Sequence, residues 1–191
     1  MKSKKKIVAT IEARMNSSRL PGKVLKEVVG KPMLELMIER LHCVPSLDGI
    51  VIATTESVAD DPVVALVNKL AISYYRGSEE NVLQRVLDAA RFHAIDVIVE
   101  LTGDCPLIDP EIVEETIQLY LQSGKDYISN TLTRSYPLGM DTQIFSTNIL
   151  SDVARRTNAP YDCEHVSLYI YRHPEIYSLG NLTAPDIFSR P

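Results

Sequence analysis

Apolar and polar positions along the chain switch repeatedly between two periods. Ile7-Val8-Ala9-Thr10-Ile11 is a short apolar run that reads as a strand. Leu34, Met37, Ile38 and Leu41 then fall at i, i+3, i+4, i+7, one helix stripe after Pro32. Gly49 to Thr54 predicts a second buried strand. Asp61-Pro62 reads as an N-cap with proline in the first turn, and Val63, Leu66, Val67 and Leu70 give the apolar face of the helix that follows. Ser73 to Tyr75 predicts a third strand. Leu83, Val86, Leu87 and Ala90 form the next helix stripe, and Ile95 to Leu101 reads as a central strand. Asp109-Pro110 opens a further helix with Val113, Thr116, Ile117 and Tyr120 inward and Gly124 as its stop. Such alternation predicts an α/β fold, a mostly parallel sheet with helices on both faces. After Gly124 the pattern changes. Asp126 to Ser129 and Asp141 to Ser146 read as strands around the polar loop Asn130 to Met140, a small antiparallel excursion or a substrate flap.

Composition narrows the functional classes. The 191 residues are enough for one domain with a sizeable core, and 45% hydrophobic with 24% charged residues is ordinary for a globular protein. The net charge of -5 argues against general nucleic-acid binding. The lysines at 2, 4, 5 and 6 read as a solvated tail, and no stretch has the roughly 20 apolar residues of a membrane span. Cys43, Cys105 and Cys163 are odd in number and widely spaced; Cys163 with His165 does not make a zinc site, and a reducing cytoplasm is the expected location.

Candidate chemistry starts at Ala13 to Lys23, ARMNSSRLPGK, directly after the first strand. Open α/β sheets bind ligands at the carboxyl ends of their strands. A loop there with Arg14, Arg19 and Lys23 beside Ser17, Ser18 and Gly22 suits a polyphosphate, because cations and hydroxyls pair with its oxygens and glycine admits close backbone approach. It is neither a Walker A loop nor a dinucleotide glycine fingerprint. Thr102-Gly103-Asp104-Cys105-Pro106-Leu107 ends the central strand. A carboxylate there suits Mg²⁺, which takes one or two carboxylates plus substrate phosphates, or it tightens a turn after glycine. In Arg76 to Arg85, Ser78 reads as an N-cap with the acidic pair Glu79-Glu80 in the first turn, which leaves Arg85 unexplained.

The segment A-R-x-x-S-x-R-L-P-G-K resembles the N-terminal signature of the sugar-acid cytidylyltransferases, which include the acylneuraminate and 3-deoxy-manno-octulosonate enzymes. TGDCPLID resembles that family's G-D-x-P-L-I metal-binding segment. RGSEENVLQR resembles the spore-coat polysaccharide biosynthesis protein F branch, as do Ser129-Asn130, Tyr136 to Gln143, and Glu164-His165-Val166. The resemblance runs from about residue 7 to about residue 180. It implies a Rossmann-like nucleotide-diphospho-sugar transferase fold and Mg²⁺-dependent transfer of CMP from CTP to a sugar or sugar acid, with release of pyrophosphate, for surface polysaccharide biosynthesis. Arg14, Lys23 and Asp104 would be catalytic, with Asp104 the Mg²⁺ ligand. Ala13, Arg14, Ser18, Arg19, Gly22, Lys23, Thr54, Ser78, Asn81, Arg85 and Gly103 would line the nucleotide. Asn130, Tyr136, Asp141, Gln143, Glu164 and His165 would meet the sugar.

Three departures stand out. The branch commonly has Glu where Gln143 stands and Arg where Cys163 stands. Relatives also continue past Phe188-Ser189-Arg190 into a segment that supplies further acidic residues, so this chain, one nucleotidyltransferase domain over 1–191, reads as shortened at its C-terminus and is expected to bind triphosphate yet turn over slowly. A non-catalytic nucleotide or sugar binder, and a nucleotidyltransferase using another nucleotide, are the rival readings. No nucleic-acid or membrane partner is expected, and a homodimer is allowed for as the assembly.

Overall fold

The computed structural model describes residues 4–17 and 20–185. The chain opens with β1 (Ile7–Glu12), followed by a 3-10 turn over Lys23–Leu25 and a small hairpin of β2 (Glu27–Val28) and β3 (Lys31–Pro32). Then come α1 (Met33–Leu41), β4 (Gly49–Thr55), α2 (Asp61–Lys69), β5 (Ser73–Gly77), α3 (Val82–Phe92), β6 (Val97–Thr102) and α4 (Pro110–Ser123). The last part holds β7 (Tyr127–Ser129), β8 (Gln143–Ser146), α5 (Thr147–Arg156), α6 (Pro160–Glu164), α7 (Leu168–Arg172) and β9 (Leu179–Asn181).

Seven strands make the main sheet in the order β5-β4-β1-β6-β8-β7-β9. β1 pairs in parallel with both β4 and β6, while β8 runs antiparallel to β6 and to β7. The expected α/β architecture and its antiparallel excursion are therefore present. The excursion belongs to the main sheet, because β8 continues the pairing edge of β6. The β2–β3 hairpin was not foreseen; two-residue strands carry no periodicity to read.

Alternation along β1 explains the two layers. Ile7, Ala9 and Ile11 pack with Leu34, Met37, Ile38 and Leu41 of α1 and with Val113 and Ile117 of α4. Val8 faces the other way, onto Leu83, Val86, Leu87 and Ala90 of α3 and Leu150 and Val153 of α5. Each helix stripe read from the 3.6-residue period faces the sheet, as burial of apolar area requires. Leu66 and Leu70 of α2 are only partly buried, at the rim of the first layer.

Two helix starts differ from the sequence reading. The N-cap position before α2 is Asp60, with Asp61 already the first helical residue and Pro62 the second. α3 is capped by Asn81, whose Oδ1 accepts from Gln84 N at 2.9 Å; Ser78 sits one step earlier, its hydroxyl accepting from Asn81 N. Asp109 and Gly124 bound α4 as expected, Asp109 accepting from Glu111 N and Gly124 adopting φ +65°.

The strand order sets the place of any ligand. From β1 the chain moves outward through β4 and β5, and α3 then carries it back across to β6, on the opposite side of β1. The order reverses between β1 and β6, and a crevice opens there beyond the carboxyl ends of the strands. The loops that follow β1 and β6 are ARMNSSRLPGK and TGDCPLID.

Candidate active site

Glu12 and Thr102 are paired at the ends of β1 and β6, so the two loops leave the sheet side by side. Gly103 N donates to Glu12 O at 2.9 Å, and a Cβ at Gly103 would lie 2.8 Å from that same oxygen. Only glycine lets the two backbones meet this closely. Beneath, Arg40 Nε of α1 donates to Ile108 O at 2.6 Å and pins the Asp104 loop to the core.

The first loop is folded around Met15. Ser17 N and Gly22 N both donate to Met15 O, at 2.9 and 2.8 Å, and Gly22 turns the chain at φ +69° into the 3-10 turn that carries Lys23. Asp60 anchors the whole loop from below. It is buried; Oδ1 accepts from Met15 N at 2.6 Å, and Oδ2 accepts from Thr55 N at 3.2 Å and from the Thr55 hydroxyl. Its carboxylate faces the loop after β1 and makes no side-chain bond to α2. The Val-Ala-Asp-Asp-Pro sequence offers two adjacent acids for one helix start, and nothing local distinguishes the one that turns inward.

A cleft of about 340 Å³ lies between the loops, bounded by Arg14, Ser17, Lys23, Arg85, Gly103 and Asp104, with Glu12 and Ala13 also in its wall and Glu164 and His165 at one side. Lys23 Nζ makes a salt bridge with Asp104 Oδ2. Burial works against the Asp104 carboxylate, but the hydrogen bond and charge of Lys23 outweigh it and hold its pKa below the ordinary value. Arg14 leans on Glu79, its Nη1 donating to Glu79 O at 3.4 Å. Arg85 is 2% exposed, and its Nη1 donates to Ser78 O at 2.5 Å, while its Nε has no partner among the described residues. Burial lowers the Arg85 pKa, against the charge of Glu12, and the group stays protonated at neutral pH.

Of the residues named from sequence, Ala13, Arg14, Lys23, Arg85, Gly103, Asp104, Glu164 and His165 are thus brought to one cleft. Ser18 and Arg19 lie outside the described residues. Gly22, Ser78 and Asn81 act one step back: Gly22 turns the loop, while Ser78 and Asn81 shape the start of α3 that presents Arg85. Thr54 is buried in β4 and does not line the cleft.

The residues named for the sugar divide. Asn130 is buried and braces its own loop, donating to Met140 O and accepting from Thr142 N. Asp141 is held by Arg134 through two bonds of 3.0 and 2.8 Å. Neither they nor Tyr136 line the cleft. Gln143, Glu164 and His165 instead border a smaller recess of about 140 Å³ that shares Glu12, Thr102, Glu164 and His165 with the cleft.

That recess holds two acids not read as site residues, Glu12 and Glu100. Thr10 is paired with Glu100 and Glu12 with Thr102, which puts the two acids on the same sheet face as diagonal neighbours. Glu100 is 6% exposed. Burial pushes its carboxyl well above the ordinary range and the nearby charge of Glu12 pushes it further; Glu12 is also raised, chiefly by burial. The sequence signal was an acid within the apolar run Ile95 to Leu101.

The sign of the pH effect follows. Because both carboxyls are raised, the folded state binds protons on them more tightly than the unfolded chain does, so stability falls as pH rises from the ordinary carboxylate range through the raised values. Glu100→Gln should flatten this part of the curve. Chemical-denaturation midpoints measured across pH check it: the two proteins should diverge toward high pH, with the variant the more stable there.

Among the described residues no group of three His, Cys, Asp or Glu could hold a metal, and no helix is long and apolar enough to cross a membrane.

Comparison with known proteins agrees with this geometry. The cytidylyltransferase family model matches residues 8–189. The spore coat polysaccharide biosynthesis protein SpsF of Bacillus subtilis is 37% identical, over 97% of this chain and 78% of its own length. The 3-deoxy-manno-octulosonate cytidylyltransferase of Geobacter metallireducens is 29% identical, over 93% of this chain and 79% of its own. A solved cytidylyltransferase from Leptospira borgpetersenii superposes with a TM-score of 0.91 at 35% identity, covering 95% of this chain and 77% of that one.

Proposed function

The chain belongs to the cytidylyltransferase family, and from that membership we propose that its cleft binds the triphosphate of CTP and transfers CMP to a sugar or sugar acid, with Mg²⁺ as cofactor. The observation that carries this reading is the convergence of Arg14, Lys23, Arg85 and Asp104 at the switch point of the sheet.

Lys23 and Arg14 neutralise the phosphate oxygens, and the turn at Gly22 brings backbone close to them. Arg85, fixed by Ser78 O, supplies a buried positive charge from the other wall. A sugar hydroxyl then attacks the α-phosphorus in line, its oxygen bonding to phosphorus as the bond to the pyrophosphate oxygen breaks. The residues described call for no protein nucleophile: the chain contributes positioning and charge neutralisation.

The donor set fits Mg²⁺ in its usual nucleotide mode. Asp104 is an ionised carboxylate with Oδ2 on Lys23. A single carboxylate suffices when phosphates and water complete the shell. When bound, the ion would supply charge to the phosphate oxygens, and Lys23 would exchange its bond to Asp104 for a phosphate.

Lys23→Ala should weaken CTP binding far more than cytidine binding. A charge-assisted hydrogen bond contributes about 1.5–3 kcal/mol, so the loss should be about tenfold or more for the triphosphate. Isothermal titration with CTP, CMP and cytidine reads it. Equal losses for all three ligands would move the phosphate site elsewhere. A pyrophosphate-release assay with CTP and a panel of sugar acids and amino sugars tests the reaction itself.

A further inference from the structure

The recess beside the cleft differs from the cleft in its chemistry. It runs under β8 and the start of α7, and it shares Glu12 and Thr102 with the nucleotide cleft. A molecule seated in it would adjoin one seated in the cleft.

Three of its side chains are carboxyls, those of Glu12, Glu100 and Glu164. Gln143 Oε1 already takes the Tyr127 hydroxyl at 2.5 Å and the Ser167 hydroxyl at 2.6 Å. Glu100 lines the recess with its side chain more than nine-tenths buried, and among the described residues no donor reaches its Oε2. Glu12 stands beside it. No lysine or arginine borders the recess; its one basic side chain is the exposed His165 at the mouth. A buried carboxyl oxygen without a donor is unfavourable, and a ligand that brings a donor relieves it. A ligand that brings a carboxylate or phosphate meets three acids, Glu12, Glu100 and Glu164, and no lysine or arginine in the lining.

We propose that this recess seats a hydrogen-bond donor of the acceptor sugar, a hydroxyl or an ammonium group, against Glu100 and Glu12, and turns away an acid group. An acceptor that carries a carboxylate must hold it outside the recess. The inference rests on the cytidylyl-transfer reading, since it takes the cleft to be filled by CTP.

Saturation-transfer NMR with the chain loaded with a non-hydrolysable CTP analogue tests it, using glucosamine, glucose and glucuronate as probes. Glucosamine or glucose should bind at least tenfold tighter than glucuronate. Two variants separate the donors. Glu100→Gln keeps an acceptor oxygen but cannot ionise; Glu100→Leu removes the acceptor altogether at similar volume. A tenfold loss in both variants assigns an ammonium, and a tenfold loss in the leucine variant alone assigns a hydroxyl. Either supports the recess. Glucuronate binding as well as the others, no sugar binding at all, or affinities unmoved in both variants would overturn it. Failure of the CTP analogue itself to bind would instead overturn the reading beneath.

Discussion

Asp104→Asn should leave a folded protein that binds CTP and transfers CMP far more slowly. The two side chains are nearly isosteric, and the loop around Asp104 is held by Gly103 N on Glu12 O and by Arg40 on Ile108 O, neither of which uses the carboxylate. The substitution removes the charge that Mg²⁺ requires and releases Lys23 from its salt bridge. Two opposite consequences follow. Without metal, CTP binding should be retained or tightened, because Lys23 no longer has a competing anion. With Mg²⁺, the metal-dependent increment in binding should vanish. Turnover should fall by about 10²–10³-fold, the usual loss when one preorganised electrostatic contact to a reacting group is deleted. Titration with and without Mg²⁺, beside pyrophosphate release, reads both. Undiminished turnover would mean that the charge at Asp104 serves only to orient Lys23.

The second large effect is at Asp60, which need not touch substrate. Its carboxylate accepts from Met15 N, Thr55 N and the Thr55 hydroxyl, and so ties the loop after β1 to the end of β4. Hydrogen bonds to charged groups contribute about 1.5–3 kcal/mol each, and Asp60→Ala would leave two backbone N–H groups buried without partners. A loss of about 3 kcal/mol or more is expected, or about 6–12 °C in melting temperature for a chain of this size. Asp60→Asn isolates the positioning role. It keeps the volume but turns an amide NH₂ toward one of the two N–H donors, so the loop should loosen while the sheet stays folded. The expected result is a KM for CTP raised about tenfold with a smaller melting shift. A lower melting temperature with an unchanged KM would make Asp60 purely structural.

The helices legible in the sequence are those whose stripe contacts one continuous layer. Leu34, Met37, Ile38 and Leu41 keep their period because α1 lies along β1, and Asp109-Pro110 with Gly124 bounds α4 because both ends use local chemistry. The place of the Ala13–Lys23 loop and of Asp104 at one cleft was legible for the same reason: each follows its strand directly, and a strand's carboxyl end is a local fact. Non-local pairings were not legible. Glu100 meets Glu12 only because β6 lies next to β1, and strand order is not written in either segment. Asp60 reaches Met15 across 45 residues. Asp141 drew attention as an acid in a polar loop, yet Arg134, seven residues away, satisfies it. Asn130 likewise spends its amide on Met140 and Thr142. Polar residues in loops serve the loop as readily as a ligand. Helix α5, opened by Ser146 accepting from Ile149 N, also went unread, since it starts directly at the end of a strand with no break between them.

Phosphorus NMR of the chain incubated with CTP, Mg²⁺ and a panel of sugar acids and amino sugars tests the central claim most directly. Transfer of CMP predicts that the three CTP resonances decay together while pyrophosphate and one new phosphodiester signal grow in equal amounts, and that Lys23→Ala suppresses all of these changes. CTP left intact with every acceptor, or consumed to CDP and inorganic phosphate with no phosphodiester formed, would contradict it.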